Sequence, residues 1–247
     1  MALYALGDLH LSFQVPDKSM DSLGPVWVNH VQKIEKNCRE LVGPEDTLVL
    51  TGDHSWGRKL SLCVKDLAFI ENLPGRKILL RGNHDMFWEP QKTDRLNKLY
   101  QGRLEFLQNN FYTYKDYALV GTKGFTFEGP FYVDRLGRIM GWDQEKAEHS
   151  VKLVQREAKR LEESFQAARK AGYRKFIMFL HYPPTNILEM DSVFTRMAEQ
   201  YGAEHVVYSH CHGEHTFHDS HRGLYHGIEY HLVSGDYLDF RPEKILE

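Results

Sequence analysis

One pattern recurs along this chain and limits what it can fold into: an apolar run stops at a glycine that is followed at once by Asp or Asn. It occurs at Leu3-Tyr4-Ala5-Leu6-Gly7-Asp8, at Leu48-Val49-Leu50-Thr51-Gly52-Asp53, and at Lys77-Ile78-Leu79-Leu80-Arg81-Gly82-Asn83. Short unbroken apolar runs bounded by turn residues read as strands buried on both faces. Three that end alike are hard to explain as independent turns. They predict neighbouring strand ends converging on one site, with RGNHD, Arg81 to Asp85, at its centre.

The segments between these runs have helical spacing. Val31, Ile34, Cys38 and Leu41 predict a helix over 29–42 that Gly43-Pro44 stops. Leu60, Cys63, Val64, Leu67 and Ile70 predict another over 60–72 that Pro74-Gly75 stops. Strand, helix, strand, helix, strand with short links implies a parallel sheet covered by helices, with ligands at the carboxyl ends of its strands. Residues 11–28, with Pro16, Gly24 and Pro25, read as a loop beside the site.

Beyond Asp85 the pattern changes. A helix over 94–100, a short strand over 104–107 and a hairpin of 111–114 with 117–121 suggest a second sheet or a mixed edge. Residues 123–142 show no period and read as a long loop over the site. Ala147, Val151, Val154, Ala158, Leu161, Phe165 and Ala168 predict a helix over 144–171, capped by Asp143 and Gly172. The modest bulk of that stripe favours packing on the body of the protein over a dimer seam. A strand over 175–180 delivers His181; a helix over 192–201 and a strand over 205–208 lead to Ser209-His210-Cys211-His212, and a last strand spans 230–234.

Composition excludes several classes. With 247 residues, 42% hydrophobic and 26% charged, the chain is long enough to bury a large core. A net charge of −3 gives no overall field toward nucleic acid or membrane, although a local basic groove is compatible with it. Neither a membrane partner nor a spanning helix is expected, since no apolar run approaches the roughly 18 residues a span needs. The first strand begins at about Leu3, which leaves no room for a secretory signal. Cys38, Cys63 and Cys211 form no CxxC pair, which argues against a disulfide framework or thiolate zinc and for a reducing cytoplasm.

The polar side chains at the strand ends are Asp8, His10, Asp53, Asn83, His181, His210 and His212. Seven oxygen and nitrogen donors exceed what one tetrahedral ion requires, which suggests two divalent ions of manganese, iron or zinc type. His84 and Asp85 are left over, and an imidazole beside a carboxylate suits a general acid with its orienter. His54 reads equally as a second-layer or a simple loop residue. His215, His218 and His221 read as part of a polar loop and not as a third metal site, and Cys211 points away from its two histidine neighbours. Trp56, Phe87, Trp88 and Tyr182 read as core or wall, and Arg81, Arg135 and Arg138 as possible phosphate contacts.

GDLH at 7–10, GD at 52–53, GNHD at 82–85, His181 after an apolar strand and SHCH at 209–212 together resemble the calcineurin-like metallophosphoesterases. The resemblance implies one domain over 1–247 with a four-layer αββα sandwich of two mixed sheets. It implies that Asp8, His10, Asp53 and His212 hold one metal and that Asp53, Asn83, His181 and His210 hold the other, with Asp53 bridging. A hydroxide shared by the two ions would then attack phosphorus, His84 would protonate the leaving alkoxide and Asp85 would orient His84. Ser209 stands where the family commonly has glycine, His54-Ser55-Trp56-Gly57 lacks the acid-Arg-Gly ending of the Ser/Thr protein phosphatases, and Asp85 replaces their Glu. The chain is accordingly more similar to the family's small bacterial phosphoesterases and phosphodiesterases. A small-molecule or nucleotide phosphoester is the implied substrate. A nuclease and a metal-binding module without chemistry are the alternatives; the first would want a basic groove and the second a damaged ligand set.

Overall fold

The computed structural model describes residues 1–125, 144–185 and 190–247. Two mixed sheets stack face to face, with helices on both outer surfaces, as the sandwich expectation requires. The first sheet runs β11-β1-β2-β3-β4, from β1 (Leu3–Leu6), β2 (Thr47–Leu50), β3 (Arg76–Leu80), β4 (Glu105–Leu107) and the antiparallel edge β11 (Glu243–Leu246). The second runs β5-β6-β7-β8-β10-β9, from β5 (Phe111–Tyr114), β6 (Tyr117–Thr122), β7 (Lys175–Leu180), β8 (Ala203–Tyr208), β9 (Gly223–Tyr225) and β10 (Ile228–Leu232). Strands β1 to β4 are mutually parallel, as are β6, β7, β8 and β10.

The apolar runs are continuous because each strand packs on both faces. In β1, Leu3 and Ala5 enter the layer between the sheets while Tyr4 and Leu6 face the helices; in β7, Ile177 and Phe179 go inward while Phe176, Met178 and Leu180 go outward. Helices α1 (His30–Leu41), α2 (Val64–Glu71) and α3 (Thr93–Tyr100) cover the first sheet through Ile34, Cys38, Leu67, Ile70 and Leu96. Helices α4 (Gln144–Lys170) and α5 (Val193–Tyr201) cover the second. The α4 stripe packs on the body through Ala158, Leu161, Phe165 and Ala168. The expected loop over 123–142, with Arg135 and Arg138, and the Asp143 cap lie almost wholly outside the described residues.

Four sequence expectations are corrected. The helix over 60–72 is a 3-10 turn, Leu60–Leu62, followed by α2, and this shift of phase turns Val64 outward to 54% exposure. Residues 214–219 form a short helix, α6 (Glu214–Asp219), where a loop was expected; fewer than two turns leave no period to detect, and Phe217 against Tyr237 is its apolar anchor. Edge strands β9 and β11 were not anticipated, being three and four residues long with little buried surface. Residues 11–28 contain three 3-10 turns, Pro16–Lys18, Met20–Leu23 and Pro25–Trp27, which carry Trp27 into the interior.

Candidate metal centre

Every sequence-predicted ligand lies just past the carboxyl end of a parallel strand. Asp8 and His10 follow β1, Asp53 follows β2, Asn83 and His84 follow β3, His181 follows β7, and His210 and His212 follow β8. The chain reverses sharply at these ends. Asp8 (φ 58°), His10 (φ 43°), Asp53 (φ 54°) and His210 (φ 73°) all occupy the left-handed region, which costs on the order of 1–3 kcal/mol for each non-glycine residue. Ser209, in the position where the family commonly has glycine, keeps negative φ and donates its hydroxyl to the Thr51 carbonyl at 3.1 Å. Two glycines permit the close approach of the ends. A Cβ on Gly82 would overlap the Asp53 carboxylate and amide nitrogen, and one on Gly52, at φ 110°, would sit 2.5 Å from His181 Nδ1.

The side chains form two groups. The donor atoms of Asp8, His10 and His212 lie within 4.8 Å of one another, as do those of Asp53, His181 and His210. Asp53 Oδ2 faces both groups, 3.8 Å from His10 Nε2 and 3.5 Å from His181 Nε2, which is the placement a shared carboxylate needs. Its other oxygen, Oδ1, accepts the His84 amide at 2.8 Å. Asp8 is held by one oxygen, Oδ2, which accepts the His210 amide at 3.0 Å, while Oδ1 is buried without a partner.

Hydrogen bonds on the far side of the rings set which nitrogens carry lone pairs into the centre. His181 Nδ1 donates to the Thr51 carbonyl at 3.0 Å, leaving Nε2 to face Asn83 Oδ1 at 2.8 Å and His210 Nδ1 at 3.2 Å. His212 Nδ1 donates to Asp236 Oδ1 at 2.9 Å, which turns Nε2 toward Asp8 Oδ1 at 3.9 Å. Both nitrogens of His10 are buried without hydrogen-bond partners. That ring is held instead by aromatic packing, stacked on Trp56 at 5.0 Å and edge-on to Trp27 at 5.7 Å.

This donor set fits divalent cations. Acceptor atoms facing one another across about 3 Å repel unless a proton or a cation sits between them, and about 3 Å is the spacing of neighbouring ligands around an ion with bonds of about 2.1 Å. Titration shifts divide the set: those of His10, His210 and Asp53 favour the metal-donating forms, and those of Asp8, His181 and His212 favour the protonated forms. Burial lowers His10 to about 3, and burial together with His181 lowers His210 to about 2, so both rings are neutral donors near pH 7. Burial also opposes the charged form of Asp53, but His181, His10 and His84 outweigh it and hold this carboxylate well below the usual range. Burial raises Asp8 against the pull of His212 and His181. His212 is penalised by burial yet rises to about 9 beside Asp8 and Asp236, and His181 rises through Asp53 and Asp8.

Asp85 does not orient the His84 ring as expected. Its carboxylate accepts main-chain amides from Asp53 (2.9 Å), His54 (2.9 Å) and Gly82 (2.8 Å), so it locks the β2 and β3 ends together. His84 packs against Trp56 at 4.2 Å, and its Nε2 lies 3.9 Å from Asp53 Oδ2. His54 is fully buried and donates Nε2 to the Leu80 carbonyl at 2.9 Å, also tying β2 to β3. His215 and His218 pair with Asp219 on the surface of α6 and contribute to neither metal-capable group, and Cys211 is buried away from the donors. Trp88 is core against Phe106, and Arg81 donates to the Trp88 carbonyl. Tyr182 is a wall, its ring 4.1 Å from that of His210.

Sequence reasoning missed Asp236 and Trp27. Asp236 was findable in part, since Ile228 to Leu232 alternates apolar and polar residues as a strand buried on one face does and is followed by Val233-Ser234-Gly235-Asp236, which ends in Gly-Asp as two of the earlier strands do. No local signal marked Trp27, which reaches His10 and His212 only through the fold of residues 11–28.

The calcineurin-like phosphoesterase family profile matches residues 1–214. Among solved structures, the chain is similar to phosphopantetheinyl hydrolase from Mycobacterium tuberculosis, with 12% identity, a TM-score of 0.52, and 99% of this chain and 95% of that one covered. It is similar to AQ665, a protein of unknown function from Aquifex aeolicus, with 15% identity, a TM-score of 0.51, and 98% and 95% covered. It is also similar to TT1561 of Thermus thermophilus, with 10% identity, a TM-score of 0.51, and 98% and 96% covered. At these identities the likeness is one of fold. No curated protein matches the sequence.

Proposed function

The chain belongs to the calcineurin-like phosphoesterase family, and we propose that it hydrolyses phosphomonoesters or phosphodiesters of small molecules, nucleotides included, with two divalent cations. The observation that carries this reading is the convergence of Asp53 Oδ2, His181 Nε2, His210 Nδ1 and Asn83 Oδ1 beside a second group of Asp8, His10 and His212. Together they offer two adjoining sites with one carboxylate oxygen between them. When bound, the two ions supply positive charge to phosphoryl oxygens and bring the pKa of water toward neutrality, so no separate strong base is required.

The protein's own residues set the rest. Asp236 and the Thr51 carbonyl fix the tautomers of His212 and His181. Asp85 holds the turns that present Asp53 and Asn83. His84, about one third exposed at the rim beside Asp53, is placed to hydrogen-bond the leaving oxygen of a phosphoester and give it a proton. Residues 1–247 are read as one catalytic domain, because β11 from the C-terminal end pairs with β1 from the N-terminal end.

The test is turnover of aryl phosphate mono- and diesters with manganese, in the parent and in His84→Ala. The variant should lose about 10²- to 10⁴-fold in turnover while binding the same equivalents of metal. Undiminished turnover would remove His84 from the reaction, and no turnover by the metal-loaded parent on any phosphoester would remove the function.

A further inference from the structure

The segment Gly57-Arg58-Lys59-Leu60-Ser61-Leu62-Cys63-Val64-Lys65 carries three cations and no acid. Its main chain lies against residues 13 and 14: Gln14 Nε2 donates to the Ser61 carbonyl at 3.0 Å, Gln14 Oε1 accepts the Lys65 amide at 2.8 Å, and the Phe13 amide donates to Asp66 at 2.9 Å. The two stretches therefore form one surface. On it Phe13 is 44% exposed, Leu62 37% and Val64 54%, and the Phe13 ring is backed by Phe69 at 5.6 Å. Arg58, Lys59 and Lys65 are exposed too, and none has a carboxylate within 4.0 Å among the described residues. Three cations with no acid beside them, interleaved with three exposed apolar side chains that water disfavours, suit a surface that is negative outside and apolar beneath.

This surface grows from the same two chain segments that carry His10 and Asp53. Leu11 and Ser55 form a parallel bridge, and the Trp56 amide donates to the Leu11 carbonyl at 2.9 Å, so the patch lies on the rim of the metal centre on its Trp56 side. We propose that this rim is a contact surface for an anionic lipid bilayer, with Arg58, Lys59 and Lys65 among the headgroups and Phe13, Leu62 and Val64 at the acyl boundary. Two of the three exposed apolar side chains, Leu62 and Val64, are aliphatic and offer no ring for a base to stack on, and the Phe13 ring packs against Phe69, which favours lipid over nucleic acid. Such contact needs no spanning helix, and none of the described helices is long and apolar enough to be one. It departs from the sequence expectation of no membrane partner because net charge averages away a local patch. The inference is independent of the reaction proposed above.

The test is co-sedimentation of the full chain with phosphatidylcholine vesicles, with and without about 30 mol% phosphatidylglycerol, over rising salt. Binding is expected to the anionic vesicles alone and to fall as salt rises. The triple variant Arg58→Gln, Lys59→Gln, Lys65→Gln should bind about a hundredfold more weakly, at roughly fivefold per cation lost. Val64→Ser with Phe13→Ser should weaken the binding that persists at high salt. Equal binding to both vesicles, no binding, an unaffected triple variant, or tighter binding to an oligonucleotide at the same salt would overturn the proposal. Circular dichroism and aryl phosphate turnover, unchanged in the triple variant, establish that it is folded. A parent that binds vesicles but turns over no phosphoester would sink the reaction and leave this surface standing.

Discussion

Replacing Asp236 by Asn tests whether the centre depends on residues behind its ligands. Asp236 accepts two donors, His212 Nδ1 at 2.9 Å and the Gly213 amide at 3.2 Å, and it is nearly buried. An amide of the same shape has one acceptor oxygen. If that oxygen meets His212, the NH₂ group faces the Gly213 amide; if it meets Gly213, the His212 ring is free to take the other tautomer and turn its lone pair away. Losing the charge converts a hydrogen bond worth about 1.5–3 kcal/mol into one worth about 0.5–1.5, a deficit of roughly 1–2 kcal/mol. That corresponds to about 5- to 30-fold in metal affinity, in the range seen when residues behind metal ligands are changed. Because His212 is the one candidate ligand that Asp236 holds, the loss should fall on the group of Asp8, His10 and His212 and spare that of Asp53, His181 and His210. Manganese titration followed by tryptophan fluorescence can read the first group directly, since Trp27 lies 5.5 Å from the His212 ring and 5.7 Å from that of His10. Two binding steps, the one that changes the fluorescence moved by at least fivefold, are expected. Unchanged affinity, or equal loss at both steps, would refute the reasoning.

Three other substitutions probe the fold around the centre. Gly82→Ala puts a Cβ into the Asp53 carboxylate, so atomic absorption should find metal lost from both groups while far-ultraviolet circular dichroism keeps its strand and helix signal; full metal content would show that the loop yields cheaply. Phe165→Ala removes a fully buried ring stacked on Tyr201 at 4.3 Å and should cost about 3–5 kcal/mol in urea unfolding; a loss under 1 kcal/mol would mean α4 does not anchor the second sheet. Asp66 is a buried acid whose pKa burial raises, against the hydrogen bonds from Ser55 and the Phe13 amide. A raised acid binds its proton more tightly when folded, so its ionisation opposes folding as pH climbs from the unfolded value of 3.8 through the folded one, and the penalty is constant above. Relative to Asp66→Asn, the parent should therefore gain stability as pH falls from 7 toward 4; a parallel decline of the two proteins would contradict the shift.

Much of the fold was legible because strands covered on both faces must be apolar at every position. β1, β2, β3 and β7 announced themselves this way, and the glycine followed by Asp or Asn after each of the first three marked where the chain turns. α4 was legible because its apolar spacing persists over most of its length. β9, β11 and α6 were not, since elements of three to six residues with one or two buried side chains leave no period. The start of α2 was misread because a 3-10 turn resets the helical phase and moves Val64 from the inner face to the outer one.

The site divides along the same line. Local sequence alone determined which residue types stand at which strand ends, because backbone direction and burial are recorded in the nearest few residues. Which ends meet was a tertiary matter: Asp8 and His210 are about two hundred residues apart, and only the stacking of two sheets joins them. The same packing decided that Asp85 serves main-chain amides and not the neighbouring imidazole, and that Asp236 and Trp27 stand behind His212. Hydrogen-bond partners depend on direction across space, and no short window of sequence encodes that direction.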